Sequence, residues 1–182
     1  MKTAVEICST IKNTALDIRV LPGTALGSER TGEIIYTPPE GETVIRDLLD
    51  DLFLFLHNRD EIDPLVRMTV AHYQFEAIHP FADGNGRTGR ILNILALIEE
   101  DLIDIPTLYL SGYINRTRTR YYRLLLAVTT DGAWAPWIAY MLEGIEDSAL
   151  RSSAKIREIR AQMERTGDQI RSSLPRVYSR DL

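Results

Sequence analysis

Apolar side chains recur every three or four positions over most of this chain, the spacing that places them on one face of an α-helix. The stretch 42–57 is the clearest case, because its apolar residues from Val44 to Leu56 form one wide face. In the next stretch Asp63 suits a helix N-cap and Pro64 suits the first helical position, and the apolar pattern continues to Ile78. Similar patterns predict helices over about 5–11, 91–98, 108–114, 121–128 and 134–145.

Two of these helices have further features. The helix at 91–98 is apolar nearly all round, which predicts a buried element at the centre of the fold. The helix at 121–128 is followed by Asp131-Gly132, which ends it. From Arg151 to Leu174 charged residues predominate and apolar ones are scattered. That region is predicted to be an exposed helical extension or a linker.

The segment 21–41 differs from the rest, because Gly, Pro, Ser and Thr surround one short β-rich run. Glu33-Ile34-Ile35-Tyr36-Thr37 is typical of a strand, and Pro38-Pro39 stops it. The polar residues from Ser28 to Gly32 are typical of a turn, so the segment predicts a hairpin. The predicted fold class is therefore all-α with one small β-hairpin.

Composition and charge narrow the classes of function. The 182 residues are 45% hydrophobic and 26% charged, as in one globular domain with or without an appendage. A net charge of −5 argues against binding nucleic acid through a general basic surface. The single Cys8 excludes an internal disulfide, and no stretch has the ~18 consecutive apolar residues of a membrane span. We expect a cytoplasmic protein that contacts neither membrane nor nucleic acid.

The candidate chemistry lies in the segment 79–90, which reads His-Pro-Phe-Ala-Asp-Gly-Asn-Gly-Arg-Thr-Gly-Arg. Gly84 and Gly86 allow a backbone in which successive N–H groups converge on an anion, and the helix that follows adds its positive end. Arg87 and Arg90 share one face of the first turn, where two cations are unfavourable unless an anion compensates them. The segment therefore predicts a polyphosphate site.

Each of these residues also has an ordinary structural interpretation. Asp83 suits a helix N-cap as well as a Mg²⁺ ligand that bridges to phosphate oxygens. Gly84 and Gly86 suit a turn, the two arginines suit solvent, and His79 suits a structural histidine. Because all of them fall within one short loop, the functional interpretation is favoured.

The same segment resembles, position for position, the signature of the Fic family, His-x-Phe-x-Asp/Glu-Gly-Asn-Gly-Arg-x-x-Arg. The resemblance also covers Tyr36-Thr37-Pro38-Pro39 and the region 115–136, and so extends over about 21–145. It implies an all-α Fic core at 21–147 with a hairpin flap, after an N-terminal helix at 1–20 and before a charged helical extension or linker at 148–182. It also implies a protein adenylyltransferase, which transfers AMP from ATP to a Tyr, Thr or Ser hydroxyl of a target protein and releases pyrophosphate.

The resemblance further implies a role for each residue of the site. His79 would be the general base, with Asn85 and Arg87 sharing in catalysis, and Asp83 would hold Mg²⁺. The implied nucleotide contacts are Gly84, Asn85 and Gly86 as the anion hole, Arg87 on the β-phosphate, Arg90 on the γ-phosphate, and Tyr122 and Leu125 beside the adenine, although Leu125 also suits the core. The flap residues Ile34, Ile35 and Tyr36 would pair by their main chain with an extended target segment.

Several alternatives remain open at the level of sequence. Other Fic chemistries transfer phosphate or phosphocholine, or remove AMP from a modified protein. A non-catalytic nucleotide-binding or interaction module could keep the same fold, but the presence of His79 and Asp83 counts against it. A P-loop enzyme is excluded, because no Gly-Lys-Ser/Thr follows the glycines.

Regulation is the last expectation from the resemblance. Many Fic proteins are restrained by a helix of the pattern Ser/Thr-x-x-x-Glu-Gly/Asn, whose glutamate pairs with the second motif arginine. Here Glu40-Gly41 and Glu143-Gly144 are preceded four residues earlier by Tyr36 and Ala139, so neither matches. We therefore expect Arg90 to be free, with any brake in a missing N-terminal segment or a separate inhibitory protein.

Overall fold

The structure, a computed structural model, describes residues 2–27, 32–58 and 62–173. These residues form an all-α fold with one small antiparallel hairpin, which confirms the predicted fold class. In chain order the elements are α1 (Lys2–Lys12), β1 (Leu26–Gly27), β2 (Ile34–Tyr36), α2 (Glu42–His57), α3 (Pro64–Ile78), α4 (Asn85–Glu99), α5 (Leu110–Arg116), α6 (Arg118–Asp131) and α7 (Trp134–Ser173).

Two helix ends follow directly from local sequence chemistry. The side chain of Asp63 accepts hydrogen bonds from the N–H groups of Leu65 (2.8 Å) and Val66 (3.4 Å), and Pro64 occupies the first turn of α3. Helix α6 ends at Gly132, which adopts the left-handed conformation with φ 64°. Both ends were predicted and both are confirmed.

Helix α3 is the element on which the core is built, packing against α2, α4 and α7. One hydrophobic cluster joins α1, α2 and α3 to the motif loop, residues 79–84 between α3 and α4. This cluster includes Leu49, Phe75 and Phe81. A second cluster joins α5, α6 and α7 and includes the fully buried Trp137. The indole N–H of Trp137 donates to the carbonyl of Thr69 in α3 (3.1 Å). The motif loop is thus anchored in the core through Phe81.

The prediction that the helix at 91–98 is buried all round is wrong for one face. Ile91 and Leu95 are 38% and 40% exposed, whereas the buried face of α4 includes Thr88 and Gly89. Small residues are needed there because α3 approaches closely. A Cβ added to Gly89 would lie 2.9 Å from Oε1 of Glu76. The apolar periodicity therefore gave the helix but not the face that packs.

The hairpin is shorter than the predicted strand at 33–37, since β2 covers only Ile34–Tyr36. Leu26 lies opposite Tyr36 and Gly27 opposite Ile34, with an irregularity between the two residues of β1. Of the predicted turn from Ser28 to Gly32, all but Gly32 lies outside the described residues.

The C-terminal part of the described chain is a single helix of 40 residues, α7. Ser148 and Ser152 donate to the carbonyls of Tyr109 (3.4 Å) and Thr107 (2.8 Å), which hold the middle of α7 against the segment before α5. The helical extension is therefore present in the described region to Ser173. None of the described helices combines the length and the apolar character that a membrane crossing requires.

Candidate active site

The motif loop begins at His79, whose backbone conformation is unusual. His79 is the C-cap of α3 with φ 49° and ψ 58°, the left-handed region that costs a residue other than glycine roughly 1–2 kcal/mol. Its N–H donates to the carbonyl of Phe75 (3.1 Å), which completes the helix. The chain turns out of α3 at this point, and His79 lines a large cavity beside the described residues.

Helix α4 begins with free amide groups. Its first helical hydrogen bond runs from the N–H of Thr88 to the carbonyl of Gly84 (2.9 Å), so the N–H groups of residues 85–87 have no acceptor within the helix. Gly84 is the N-cap with φ 96°, and an added Cβ would lie only 3.1 Å from Sγ of Cys8. The geometry of an anion site at a helix N-terminus is therefore present.

The side chain of Asn85 is used within the loop. Its Oδ1 accepts from the N–H of Phe81 (2.9 Å), and its Nδ2 donates to the carbonyl of Phe81 (2.7 Å). The residue is 2% exposed. The amide therefore fixes the loop, and the backbone N–H of Asn85 is the donor that we expect to face an anion.

The two arginines occupy different environments although both line a second cavity of about 280 Å³. Arg87 is half exposed and lies 3.8 Å from the carboxylate of Asp83. Nε of Arg90 instead donates to Oγ of Ser111 (3.0 Å), and no ion pair of Arg90 occurs within the described part of the chain. A Cβ added to Gly86 would lie 3.0 Å from Nη1 of Arg90, so this guanidinium lies against the opening turn of α4.

Asp83 is not the helix cap, since Gly84 holds that position without a side-chain hydrogen bond. Its carboxylate forms ion pairs with Lys12 at the end of α1 and with Arg87, and the side chain is 66% exposed. The hydrogen bond from Lys12 and the nearby N–H of Gly84 lower the pKa of Asp83, so it is ionised at neutral pH. Among the described residues no group of three or more His, Cys, Asp and Glu side chains forms a metal site.

The large cavity has a volume of about 610 Å³, within the range of small-molecule sites. It brings together residues predicted at three separate places: Ile35 and Tyr36 of the flap, His79 and Gly86 of the motif, and Tyr122 and Leu125 of α6. Other predicted residues lie elsewhere. Arg87 and Arg90 line the second cavity, whereas Ile34 is 64% exposed beside the cavity rather than in its wall.

The electrostatics of the large cavity keep its histidine neutral. Burial lowers the pKa of His79 below its ordinary value of 6.5; the carbonyl of Glu76 and the charge of Asp83 act against this shift, and the charge of Arg19 adds to it. An imidazole with a lowered pKa is uncharged at neutral pH and can accept a proton. This is the state that a general base requires.

Two buried titratable groups lie between α3 and α4 that sequence reasoning missed. Burial raises the pKa of Glu76 to about 7, against the opposing charge of Arg90. Burial lowers the pKa of His72 to about 3, and its Nε2 hydrogen-bonds the hydroxyl of Tyr121 (2.9 Å). A signal was present, because these residues lie three and seven positions before His79 and share its helix face.

Three long-range partners of the site were also missed. Lys12 pairs with Asp83, Ser111 with Arg90, and the guanidinium of Arg19 with the carbonyl of His79 (2.8 Å). The residues of these pairs are 71, 21 and 60 positions apart. No local pattern signals such contacts, because they exist only once the helices have packed.

Together the fold and the site define a class: an all-α domain in which a histidine and an amide-rich helix N-terminus share one cavity. The model of the Fic/DOC family matches residues 4–97, and the chain belongs to this family. The resemblance noted in the motif is thereby confirmed.

Individual relatives agree with this assignment. The chain is similar to protein adenylyltransferase fic-1 of Caenorhabditis elegans, with 32% identity over 140 residues, 76% of this chain and 25% of the relative. It is also 36% identical over 83 residues to a probable protein adenylyltransferase of Aquifex aeolicus, 46% of this chain and 26% of the relative. The chain thus spans about a quarter of the length of these curated relatives.

Solved structures give the same family. A crystal structure of a Fic family protein from Desulfovibrio desulfuricans matches with a TM-score of 0.71 at 26% identity, over 84% of this chain and 46% of that chain. Fic-1 from C. elegans matches with a TM-score of 0.61 at 28% identity, over 85% of this chain and 43% of that chain.

Proposed function

We propose that this chain transfers AMP from ATP to a Tyr, Thr or Ser hydroxyl of a target protein and releases pyrophosphate. The observation that carries the proposal is that His79, held neutral by burial, lines the same cavity as Gly86 in the opening turn of α4. A base and an anion site at one cavity suit the attack of a hydroxyl on a phosphate. The names of the relatives from C. elegans and A. aeolicus support the same reaction.

In the proposed reaction the target hydroxyl oxygen attacks the α-phosphorus, and the bond from that phosphorus to the bridging oxygen breaks. His79 takes the hydroxyl proton, and pyrophosphate leaves with the bridging oxygen. The free N–H groups of residues 85–87 stabilise the charge that develops on the phosphate oxygens. Arg87 and Arg90 hold the β- and γ-phosphates, so that the reacting atoms stay in line.

Mg²⁺ is the metal that the family implies, and the site offers it one carboxylate, that of Asp83. Mg²⁺ commonly takes one or two carboxylates and completes its shell with phosphate oxygens and water. Asp83 is an ionised and accessible carboxylate beside the anion site, so it is the residue that would hold the ion. The bound ion would neutralise phosphate charge. Lys12, which pairs with Asp83 here, would have to give up that contact.

The remaining walls suggest how the two substrates are held. Tyr122 and Leu125 are proposed to contact the adenine, since both face the cavity one turn apart on α6. Ile34 and Ile35 are 64% and 50% exposed on the short strand β2. We propose that this strand pairs with an extended segment of the target, which would cover that apolar edge. The free Cys8 and the use of ATP favour the cytoplasm as the compartment.

The test is label transfer from ATP carrying ³²P on the α- or the γ-phosphate, with the chain alone and with cell lysate. Label from α-³²P-ATP on protein, with a +AMP adduct by mass spectrometry, is the expected result. Label from the γ-position alone would assign a kinase-like Fic chemistry instead. No label from either would leave a nucleotide-binding module, and His79→Ala is the matched control for background labelling.

A further inference from the structure

The last carbonyl groups of α3 receive no hydrogen bond from an N–H group of the helix itself. Three of them are satisfied from the region around the flap. The hydroxyl of Tyr36 donates to the carbonyl of Ala77 (2.9 Å). The guanidinium of Arg19 donates to the carbonyls of Ile78 (3.3 Å, from Nη2) and His79 (2.8 Å, from Nε). The end of the helix that presents His79 is therefore held from outside.

Arg19 makes two further contacts that extend this arrangement. Its backbone N–H donates to the carbonyl of Pro80 (2.9 Å), so three successive carbonyls, 78–80, bond to one residue. Its Nη2 also donates to the carbonyl of Pro39, at the base of the flap. Arg19 is only 7% exposed. One buried side chain thus connects Pro39, at the base of the flap, to the loop that carries His79, the proposed general base.

The contacts surround the residue with the unusual backbone. His79 has φ 49° and ψ 58°, a conformation that a residue other than glycine keeps only when its surroundings determine it. Bonds to the carbonyls before, at and after His79 fix the peptide planes on both sides of its Cα. That backbone sets the direction in which the His79 side chain leaves the main chain toward the cavity.

The chemistry of this position favours arginine over lysine. A planar guanidinium donates in several fixed directions at once, whereas an ammonium group is a single compact centre. The carbonyls at the C-terminus of a helix also carry partial negative charge that favours a cation. A side chain with fewer or differently placed donors would leave some of these buried carbonyls unsatisfied, which is unfavourable.

We propose that Arg19 is a positioning residue, which sets the backbone of His79 and fixes the flap base to it. This inference rests on the proposed function in so far as His79 is the base. Arg19 is not among the residues that line the large cavity, so it acts on the reaction only through His79. Its loss should therefore lower the rate of the chemical step and leave the phosphate site on α4 unchanged.

The experiment compares Arg19→Gln and Arg19→Lys with Arg67→Gln as the matched control. Arg67 is equally buried, at 3% exposed, and donates to the carbonyl of Asn58 (2.7 Å) and to Glu100, away from the cavity. All variants are measured for thermal unfolding, Mg-ATP affinity by calorimetry, auto-modification with α-³²P-ATP, and NMR resonances of the histidine imidazoles. The chain has only three histidines, which makes their resonances easy to assign.

In both Arg19 variants we expect kcat to fall about 10- to 100-fold, the size of loss that a small misplacement of a catalytic group causes. The KM and the calorimetric affinity for ATP should stay within about twofold, since α4 keeps its free amides. The His79 resonance should move, while those of His57 and His72 stay. Arg67→Gln should lower stability without changing kcat or the His79 resonance.

Unchanged kcat with an unchanged His79 resonance in a folded Arg19 variant would overturn the proposal, as would equal changes in Arg67→Gln. If Arg19→Gln does not fold, Arg19→Lys alone tests the proposal, because it keeps the positive charge and loses the planar set of guanidinium donors. If the wild-type chain modifies nothing, the proposed function has failed. The His79 resonance then still tests the positioning role. A resonance that moves in the Arg19 variants and not in Arg67→Gln supports that role, and one that does not move contradicts it.

Discussion

At the scale of single residues, the site is made by side chains whose surroundings change their ordinary chemistry. His79 is held left-handed at a helix end, and burial keeps its imidazole neutral. The amide of Asn85 bonds to both backbone groups of Phe81 and so holds the loop together. Asp83 is kept ionised by Lys12. The roles proposed for His79 and Asp83 are separable, and substitutions can test them.

His79→Ala should abolish AMP transfer while Mg-ATP still binds with nearly normal affinity. The proposed base is lost, but the amides of α4 and the two arginines proposed to hold phosphate remain. Loss of a general base typically lowers the rate by ~10²–10⁴-fold. Turnover is followed with α-³²P-ATP and affinity by calorimetry. Turnover equal to that of the wild type would remove His79 from the mechanism.

Asp83→Ala and Arg90→Ala should affect the binding of the ATP phosphates rather than the proton transfer. Each should weaken productive Mg-ATP binding, since a carboxylate for the metal or a guanidinium for the γ-phosphate is missing. The expected loss is about 10-fold or more in affinity, the size of one charge-assisted hydrogen bond. Arg116→Ala, which removes a surface ion pair with Asp147, is the control. Normal binding and kinetics in both site variants would contradict the phosphate assignment.

Glu76→Gln should stabilise the fold in a pH-dependent way. The pKa of Glu76 is raised from 4.5 to about 7, so the carboxyl contributes stability below pH 4.5 that is lost as the pH rises through 7. The gap corresponds to at most on the order of 3 kcal/mol. Denaturation at pH 5 and pH 8 should show a larger gain for the variant at pH 8. An equal difference at both values would show that Glu76 titrates normally.

At the scale of elements, the close approach of α3 and α4 connects the core to the site. Gly89 lies where the two helices meet, and a Cβ there would be 2.9 Å from Glu76 and 3.3 Å from Cε1 of His72. Apolar periodicity predicted both helices, but the small and polar residues of α4 decide which face packs. The buried face of α4 thus combines apolar residues such as Leu97 with small ones that leave room for α3.

Gly89→Ala should therefore destabilise the protein although alanine is the better helix former. Overpacking of this kind costs about 1–3 kcal/mol, more than the 0.5–1 kcal/mol that alanine gains over glycine in a helix. Ser153→Ala on the exposed face of α7 is the control and should change stability by less than about 0.5 kcal/mol. Chemical denaturation measures both. A more stable Gly89→Ala variant would show that the helices can separate at little cost.

At the scale of the whole molecule, the surroundings of Arg90 bear on how the activity is regulated. In the described residues Nε of Arg90 donates to Oγ of Ser111, and the charge of Arg90 acts on the buried carboxyl of Glu76. A carboxylate on Arg90 would compete with the γ-phosphate for the same guanidinium. An Arg90 that is free to meet the γ-phosphate is therefore what we predict for this chain.

We predict that the chain binds Mg-ATP productively and modifies itself or a target without an activator. Any brake would then lie in a further segment or in a separate inhibitory protein. Auto-modification by this chain is compared with that of any longer native form or any complex with an inhibitor, in which it should be slower. An inactive chain in which a carboxylate of these 182 residues pairs with Arg90 would refute the prediction.

The sequence alone determined the features that depend on neighbouring residues. Helix periodicity gave α2 and α3, Asp63 and Gly132 gave two helix ends, and the motif at 79–90 gave the family. Each of these signals lies within a few turns of chain, where spacing and backbone preference act directly. The free amides at the start of α4 were predictable for the same reason.

Only the tertiary structure decided which side chains meet across the fold. It placed Arg19 on the carbonyl of His79 and Lys12 on Asp83, 60 and 71 positions away in sequence. It also turned one apolar face of α4 outward and buried Glu76, which changes the pKa of that carboxyl. Contacts and desolvation of this kind arise from helix packing, and no local pattern encodes the distance between two helices.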